Sequence, residues 1–384
     1  MLEIAESLKE LIRGNTAFAL DLYHRLRKAY PGNLFFSPFS VSSCLGMVSL
    51  GAKGDTASQM TRCLRFDGEK DDTHVGFATL HEKLRADNNR AQIDVRVANQ
   101  LWPDKRLCVL PEFLDRLGRY YQSAIQEIDF SNPQKACELI NDWVRQATNT
   151  LISGIVGEEE VRDALLVLAN AIYFKGKWST PFEKEMTEDG PFHLAPRQVI
   201  QVPMMSQVAA AWYAKKRGLQ ILEKWYGEGE FSMVILLPEQ LDGFNLLETS
   251  LNLEDLESLL AGLQPVEEIE ITLPKFRLAS HYELNGPLME MGMVDAFNAK
   301  AADLSGMTGG RDLAVSQVIH KAVIEVEEEG TEAAAITSIM FLGCEKEIRQ
   351  FPIFHADHPF VFLIRHNPSR TILFVGRVLD PRQV

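Results

Sequence analysis

Residues 325–354 read EVEEEGTEAAAITSIMFLGCEKEIRQFPIF, and this stretch decides how the fold is interpreted. Four acidic residues precede Gly330, whereas the segment from Thr331 to Leu342 is almost free of charge. If that segment is extended, its side chains alternate between two faces. One face holds the uncharged residues Thr331, Ala333, Ala335, Thr337, Ile339 and Phe341. Such a face can enter a crowded sheet, although TEAAA is equally typical of a helix start.

Composition and charge bound the partners of this chain. It has 384 residues with 46% hydrophobic content, which allows a sizeable core. The 53 acidic residues outnumber the 39 basic ones and the net charge is -14. Nucleic acid and anionic membranes require a basic face, so the sequence argues against both as partners. It also contains no apolar run of the ~20 residues that a membrane span needs.

The cysteines and the N-terminus bear on the cellular compartment. The five cysteines are Cys44, Cys63, Cys108, Cys137 and Cys344. They are scattered and form no CxxC or Cys/His cluster, so we predict buried, reduced thiols, no metal site and no cofactor. The first residues, MLEIAESLKELIRGN, lack the uninterrupted apolar core of a signal peptide. This indicates a cytoplasmic protein, with secretion after removal of a signal as the alternative.

Apolar periodicity predicts mainly helices early in the chain and mainly strands late. Helices are predicted over 4–30, 41–54, 56–88, 111–148 and 242–263, and NLFFSPFSV before the second of them is predicted as a short strand broken by Pro38. Strands are predicted for AQIDVRVANQLWPD, Ala164 to Trp178, Phe231 to Pro238, DLAVSQVIHKAVIEVEEEG and a C-terminal hairpin. The run from Ala164 reads as a central strand that is buried on both faces. No linker or repeat separates these parts, so we predict one α+β domain over residues 1–384.

Motifs of the common enzyme classes are missing. No GxSxG, HExxH or GxxxxGK[ST] occurs in the sequence. His320 lies in an apolar strand pattern, which favours a hydrogen-bonded core histidine over a catalytic base. Cys344 has no histidine nearby in sequence and, as a nucleophile, would need a base from elsewhere. A thiol enzyme using Cys344 is therefore only a minor alternative.

Over essentially its whole length the chain resembles a serpin, a serine protease inhibitor of the suicide-substrate type. The stretches that carry the resemblance are NLFFSPFSV, GAKGDT, LANAIYFKGKW, VPMM, LPKF, HKAVIEVEEEGTEAAA, ADHPFVFLI and ILFVGRV, in this order. The resemblance implies a metastable fold with about three β-sheets and eight or nine helices. It also implies an exposed reactive-centre loop, here approximately residues 328–353.

The inhibitory mechanism is also implied by the resemblance. A serine protease attacks the loop and forms an acyl-enzyme, and the cleaved loop then inserts as a new strand into the central sheet. The protease is carried along and distorted, so deacylation fails because its oxyanion hole is no longer assembled. We expect a monomer that forms a covalent complex with its target.

Three groups of residues correspond to named regions of the family. The hinge, where the loop leaves the sheet, corresponds to Glu328, Gly330, Thr331, Ala333 and Ala335. The breach, where the sheet first parts, corresponds to Trp178 and to Lys275, the ionic partner of Glu328. The shutter, a polar cluster under the sheet, corresponds to Ser37, Ser40, Asn170 and His320. Small hinge residues favour active inhibition, because an inward charge would have to be desolvated during insertion.

The spacing from the hinge acid Glu328, as the family has it, places the scissile bond between Cys344 and Glu345. Cys344 is small and moderately apolar, which favours a chymotrypsin- or elastase-like target. Lys346 is the rival scissile residue and would imply a trypsin-like target. The runner-up function is a serpin fold without inhibition, serving as a chaperone, carrier or storage protein.

Overall fold

The computed structural model describes residues 6–66, 70–91, 93–123, 125–329 and 351–383. Within these residues the α-helices are α1 (Glu6–Ala29), α2 (Pro38–Ser49), α3 (Gly54–Leu64), α4 (Lys70–Ala91), α5 (Pro111–Tyr121), α6 (Pro133–Ala147), α7 (Glu158–Val161), α8 (Phe244–Ser250), α9 (Leu253–Ala261), α10 (Asn285–Glu290) and α11 (Ser305–Thr308). The strands are β1 (Leu34–Phe36), β2 (Asp94–Pro103), β3 (Leu166–Lys175), β4 (Thr187–Ala195), β5 (Gln198–Lys216), β6 (Leu219–Tyr226), β7 (Phe231–Pro238), β8 (Gln264–Pro274), β9 (Phe276–Glu283), β10 (Gln317–Val326), β11 (Ile353–His355), β12 (Phe360–His366) and β13 (Thr371–Val378). The predicted hinge residues from Gly330 to Ala335, and the predicted scissile-bond residues Cys344 and Glu345, lie outside the described residues.

The helices follow the local signals in the sequence, but three predicted helical stretches are each two helices: 56–88 is α3 and α4, 111–148 is α5 and α6, and 242–263 is α8 and α9. Helix α2 is buried along its entire length and begins at Pro38, whose fixed φ and missing N–H suit the first helical position. Ser37 caps this helix, because its side chain accepts a hydrogen bond from Ser40 N at 3.1 Å. Within 242–263, α9 starts anew because the Asn252 side chain accepts a hydrogen bond from Asp255 N at 2.9 Å.

A four-stranded sheet has the order β2-β3-β10-β9. Its two inner strands, β3 and β10, run parallel and pair from Val167↔Gln317 to Phe174↔Ile324. Strands β2 and β9 pair with them in antiparallel orientation on the two outer sides. The two central strands are thus direct neighbours along eight residue pairs, and no other described strand lies between them.

Strand β3 is buried on both faces, as predicted from its continuous apolar run. One face, which includes Val167, Ala169 and Ala171, belongs to a core with Ile140 and Val144 of α6. The other face, which holds Leu168, Ile172 and Phe174, belongs to the main core. Helix α6 therefore covers one side of the four-stranded sheet, and the bulk of the protein covers the other.

The second sheet has nine strands, and its main path is β1-β13-β12-β7-β6-β5-β8-β11, with β4 pairing with β5. Strand β5 has 19 residues; its first part pairs with β4 and its last part with β6. Because β5 joins both regions, the described residues form two hydrogen-bonded sheets rather than about three. The count of eleven α-helices exceeds eight or nine because α7, α8, α10 and α11 have only four to seven residues. The α+β class is confirmed.

Candidate functional site

The predicted shutter residues converge on one level of the four-stranded sheet. The strand register places Asn99 of β2 opposite Asn170 of β3, and Asn170 opposite His320 of β10. It also places His320 opposite Tyr282 of β9, whose ring stacks with the imidazole at a centroid distance of 6.3 Å. A single row of polar and aromatic side chains thus crosses all four strands.

His320 links the sheet to the start of α2. Its Nε2 accepts a hydrogen bond from Ser37 N at 3.0 Å, so the ring proton resides on Nδ1. The Nδ1–H then donates to Asn170 Oδ1. Ser37 Oγ donates in turn to the Leu373 carbonyl at 2.6 Å, which ties the cluster to β13. Both ring nitrogens of this fully buried histidine are satisfied, which makes it a core histidine and not a base in an open cleft.

Asn99 joins the predicted shutter residues and was not among the residues predicted from the sequence. Asn170 Nδ2 donates to Ser40 Oγ at 2.5 Å and also to Asn99 Oδ1. Ser40 Oγ donates to the same Asn99 oxygen at 2.9 Å. An amide in the middle of the apolar alternation AQIDVRVANQLWPD was the available signal. Each of these polar groups depends on a partner from another element, so strand separation would leave several unsatisfied.

Burial controls the protonation of His320. Removal from water lowers the pKa of His320 to about 3, and the hydrogen bond with Asn170 offsets this only in part. The neutral form agrees with the geometry, because a second ring proton would point at the N–H of Ser37. The hydrogen bonds of His320 in this cluster are therefore neutral ones near pH 7, while the shutter role of the cluster stays a prediction.

At the predicted breach, Glu328 forms the ion pair with Lys275 that the resemblance implies. Lys275 Nζ lies 2.7 Å from Glu328 Oε2, and Thr187 Oγ1 donates to Glu328 Oε1 at 2.8 Å. The Glu328 side chain is only 6% exposed, whereas that of Lys275 is 33% exposed. The carboxylate is thus buried and satisfied at both oxygens. Thr187 was missed by the sequence analysis because it lies 141 residues away along the chain.

Two opposing effects set the charge of Glu328. Burial raises its pKa, but the hydrogen bonds from Lys275 and Thr187 and the charge of Lys275 outweigh burial, so the pKa is lowered. The carboxylate is therefore ionised at neutral pH, at the point where the described chain approaches Gly330.

Trp178 contacts the backbone beside this carboxylate. Its Nε1 donates to the Glu327 carbonyl at 3.0 Å, and its ring stacks on Tyr226 with centroids 4.1 Å apart. Phe182 N donates to the Glu328 carbonyl at 3.2 Å. The segment that runs from Trp178 to Phe182 therefore holds the last two described carbonyl groups before Glu329. These contacts bring Trp178, Lys275 and Glu328 together, while their breach and hinge roles stay predictions.

Surface ion pairs surround the buried one. Lys184 Nζ lies 2.6 Å from Glu329 Oε1, and both side chains are more than half exposed. Lys175 Nζ lies 3.2 Å from Glu325 Oε2 and 3.4 Å from Glu327 Oε2. Pairs of this kind add little to stability, so Glu328 differs from its acidic neighbours by its burial.

The described cysteines are all free. Cys44 and Cys63 are buried, and burial raises the pKa of each thiol to about 12. Cys108 is exposed and Cys137 is half-buried, so the prediction of buried thiols is wrong for these two. In the described part of the chain, no three His, Cys, Asp or Glu side chains are grouped to hold a metal ion. No helix in these residues has the length and apolarity that a membrane span requires.

Comparison with known proteins agrees with this geometry. A family described as "Serpin (serine protease inhibitor)" matches residues 13–381. Among curated proteins, the chain is 42% identical to leukocyte elastase inhibitor of Bos taurus and 38% identical to Serpin B3 of Homo sapiens. Each match covers 97% of this chain and 100% of the relative.

Solved structures show the same fold. Maspin superimposes with a TM-score of 0.90 at 28% identity, covering 98% of this chain and 100% of maspin. Uncleaved ovalbumin superimposes with a TM-score of 0.85 at 30% identity, covering 97% of this chain and 100% of ovalbumin. The chain belongs to the serpin family of serine protease inhibitors, and it is an inhibitor rather than an enzyme.

Proposed function

We propose that this serpin traps its target protease as a covalent acyl-enzyme by inserting its reactive-centre loop between β3 and β10. The observation that carries the proposal is the parallel pairing of these two strands. A chain that leaves the end of β10 and turns back runs antiparallel to both neighbours. It can therefore form an antiparallel ladder on each side, which is the more stable arrangement per residue.

The length of the uncharged segment supports insertion. Thr331 to Leu342 comprises 12 residues, which extend to about 40 Å at ~3.3 Å per residue. Strands β3 and β10 have 10 residues each, or about 33 Å. An inserted segment of this length would span the sheet and carry an attached protease from one end of it to the other. The side chains that would face inward are uncharged, so insertion would bury no unpaired charge.

We further propose a chymotrypsin- or elastase-like target, with the scissile bond between Cys344 and Glu345. The small side chain of Cys344 supports this assignment. The Bos taurus relative is named for the inhibition of leukocyte elastase, which also favours an elastase-like target. Lys346 remains the alternative scissile residue and would select a trypsin-like protease.

A protease panel tests this function. The protein is incubated with chymotrypsin-, elastase- and trypsin-like proteases, and the products are analysed after denaturation. We expect one denaturation-resistant complex of 1:1 stoichiometry with an elastase- or chymotrypsin-like protease, and a released peptide that begins at Glu345. Cleavage without a complex would support the non-inhibitory alternative. Light scattering of the free protein tests the predicted monomer.

We propose a reducing, cytoplasmic location. The support is that every cysteine of the described residues is free, including the exposed Cys108. Fractionation of cells that express the unmodified chain tests this location, and recovery of the protein from the medium would contradict it.

A further inference from the structure

Lys224 of β6 has a buried amine that lies against Trp178 of the predicted breach. Its residue is 3% exposed, although lysine is almost never fully buried unless it is paired. No residue of the described chain forms an ion pair with it. A buried ammonium without a carboxylate partner is costly, so the contacts that compensate for its burial indicate its role.

The Lys224 amine contacts either the segment Trp178–Phe182 itself or the Gln207 amide, which is hydrogen-bonded to that segment. Nζ donates to the Thr180 carbonyl at 2.7 Å. The Gln207 amide, in the orientation that satisfies both of its ends, accepts from Nζ at 2.7 Å and donates to the Pro181 carbonyl at 3.1 Å. Nζ also lies 5.2 Å from the ring centre of Trp178 and 4.9 Å from that of Phe182. Cation–π attraction therefore replaces part of the lost hydration.

The same segment holds the backbone of the hinge. Trp178 Nε1 donates to the Glu327 carbonyl, and Phe182 N donates to the Glu328 carbonyl. Lys224 is thus connected to the last described residues before the loop through two rings and one carbonyl. Movement of the hinge into the sheet would break or shift these contacts.

We propose that Lys224 is a positioning residue of the breach: its buried amine holds the segment Trp178–Phe182 beneath Glu327 and Glu328, and opening of the sheet there releases it to water. This role rests on the proposed loop insertion. This role differs from ordinary packing in one measurable property, the uptake of a proton by Lys224 when the sheet opens. A lysine that becomes hydrated during opening takes up a proton if it was neutral in the closed state.

The electrostatics of the site support such proton uptake. Burial lowers the pKa of Lys224 to about 7 in the closed state. The side chain is faced by aromatic rings from segment Trp178–Phe182 and by the Gln207 amide from β5. The Trp178 ring that Lys224 contacts also stacks on Tyr226, whose pKa burial raises well above its usual value, and Trp178 Nε1 donates to the Glu327 carbonyl beside the ionised Glu328. Neither Tyr226 nor the ionised Glu328 changes charge between pH 7 and pH 9.

The sign of the effect follows from linkage. The closed state binds the Lys224 proton less tightly than an open, hydrated state does, so lowering the pH favours opening. The effect begins near the ordinary lysine pKa of about 10.4 and levels off near pH 7. One proton limits the change to about tenfold in the opening equilibrium for each pH unit. We therefore expect strand insertion to be faster at pH 7 than at pH 9.

A peptide with the sequence of Thr331 to Leu342, TEAAAITSIMFL, measures opening without any protease. Its fluorescently labelled form is incubated with the full-length protein at pH 7, 8 and 9, and its incorporation is followed by anisotropy and gel filtration. For the unchanged protein we expect incorporation to accelerate at least several-fold between pH 9 and pH 7. Lys224→Met should abolish this acceleration, because methionine keeps much of the packing and carries no proton.

Two further variants complete the test. Lys224→Arg cannot lose its charge, so its incorporation rate should not change with pH and should stay at the fast level at pH 9. Lys216→Met is the matched control: Lys216 also donates to a carbonyl, that of Ser258 at 2.8 Å, but it is the last residue of β5 and makes none of the contacts with segment Trp178–Phe182, so its loss should keep the original pH profile.

The outcomes separate the two proposals. If Lys224→Met keeps the original pH profile, or if the unchanged protein shows no pH dependence, the role of Lys224 is refuted while loop insertion stands. If no variant incorporates the peptide at any pH, loop insertion fails and the role of Lys224 fails with it. Should Lys224→Met not fold, the profiles of the unchanged protein and of Lys224→Arg still decide the matter.

Discussion

Single polar residues inside an apolar sheet determine where its strands meet. His320 accepts a hydrogen bond from Ser37 N and donates one to Asn170, and Glu328 accepts from Lys275 and Thr187. In both cases a buried group is satisfied only while several elements stay together. The loss of one such partner leaves the other group unsatisfied, which costs more than an ordinary hydrogen bond is worth.

The shutter histidine should make stability depend on pH. The folded-state pKa of His320 is about 3, below the ordinary value of 6.5, so the unfolded chain binds more protons between these pH values. We expect the stabilisation to be complete above pH 6.5 and to be lost on acidification towards pH 3, by at most ~1.4 kcal/mol per pH unit. Urea unfolding from pH 7 to pH 4 measures this. His320→Ala should be less stable at pH 7 and lose less on acidification; an equal slope would contradict the assignment.

The buried ion pair between Glu328 and Lys275 should contribute more to the free energy of unfolding than the exposed pair between Glu329 and Lys184. Glu328→Ala should lower the free energy of unfolding by about 1–3 kcal/mol, because it leaves Lys275 and Thr187 without their partner. Glu329→Ala is the matched control, since its pair with Lys184 is exposed and its removal should change little. The Glu328 contribution should vanish on acidification below its ordinary pKa near 4.5, because the folded-state pKa is lowered. Denaturant titrations of both variants give the comparison, and similar losses would refute it.

The residue before the scissile bond should select the protease. Cys344→Arg should shift inhibition towards trypsin-like enzymes without abolishing the covalent complex, because such proteases bind that side chain in a charged pocket. The released peptide should begin at Glu345 in both the original and the altered protein. N-terminal sequencing checks this. A peptide that begins at Glu347 would instead identify Lys346 as the scissile residue.

At the scale of elements, the central feature is the pair of parallel strands β3 and β10, the second of which precedes the predicted reactive-centre loop. Strands β3 and β10 are flanked by α6 on one side and by α2 and the main core on the other. An inserted strand would therefore place one set of alternate side chains against the main core and the other on the side of α6; at the hinge end of that second side, Lys175 and Glu325 are 39% and 24% exposed, so a charged side chain there could stay hydrated. The size and charge of each inserted side chain decide whether the sheet accepts it.

The hinge should tolerate a charge on one face and not on the other. By alternation, Thr331 would be the first loop side chain to face inward, and the neighbouring Glu332 would face the opposite way. Thr331→Arg should leave protease binding and cleavage intact but convert the inhibitor into a substrate, because the guanidinium would have to be desolvated. Glu332→Arg is the control and should retain most of the inhibition. The number of inhibitor molecules consumed per trapped protease measures both, and an unchanged value for Thr331→Arg would refute insertion.

At the scale of the whole molecule, cleavage of the predicted reactive-centre loop at the Cys344–Glu345 bond should stabilise the protein. A nick in an ordinary surface loop brings no gain and usually reduces order. Here it should allow a new central strand to form between β3 and β10 and to bury additional area. Calorimetry before and after clean cleavage should therefore show a higher melting temperature. A level or lower value would favour the non-inhibitory alternative.

Contacts between residues that are distant in the chain explain which predictions from the sequence were wrong. Helix α1, strand β3 and strand β7 were predicted because their periodicity is local. The merging of sheets through β5 was missed, since the pairing of one strand with two partners depends on residues distant in the chain. The helix over 242–263 was predicted as continuous because its break arises from a single capping side chain, Asn252.

The sequence by itself predicted α1, β3, β7 and β10 and the α+β class, although not β4 or β6, and the resemblance singled out Ser37, Asn170, His320 and Lys275. Only the tertiary structure decided which side chains join them. Asn99 and Thr187 come from strands whose alternation gives no sign of their partners, and Lys224 reads as an ordinary surface lysine until β6 is placed against Trp178. The physical reason is that periodicity depends on neighbours a few residues away, whereas burial and hydrogen-bond partnership depend on which distant elements pack together.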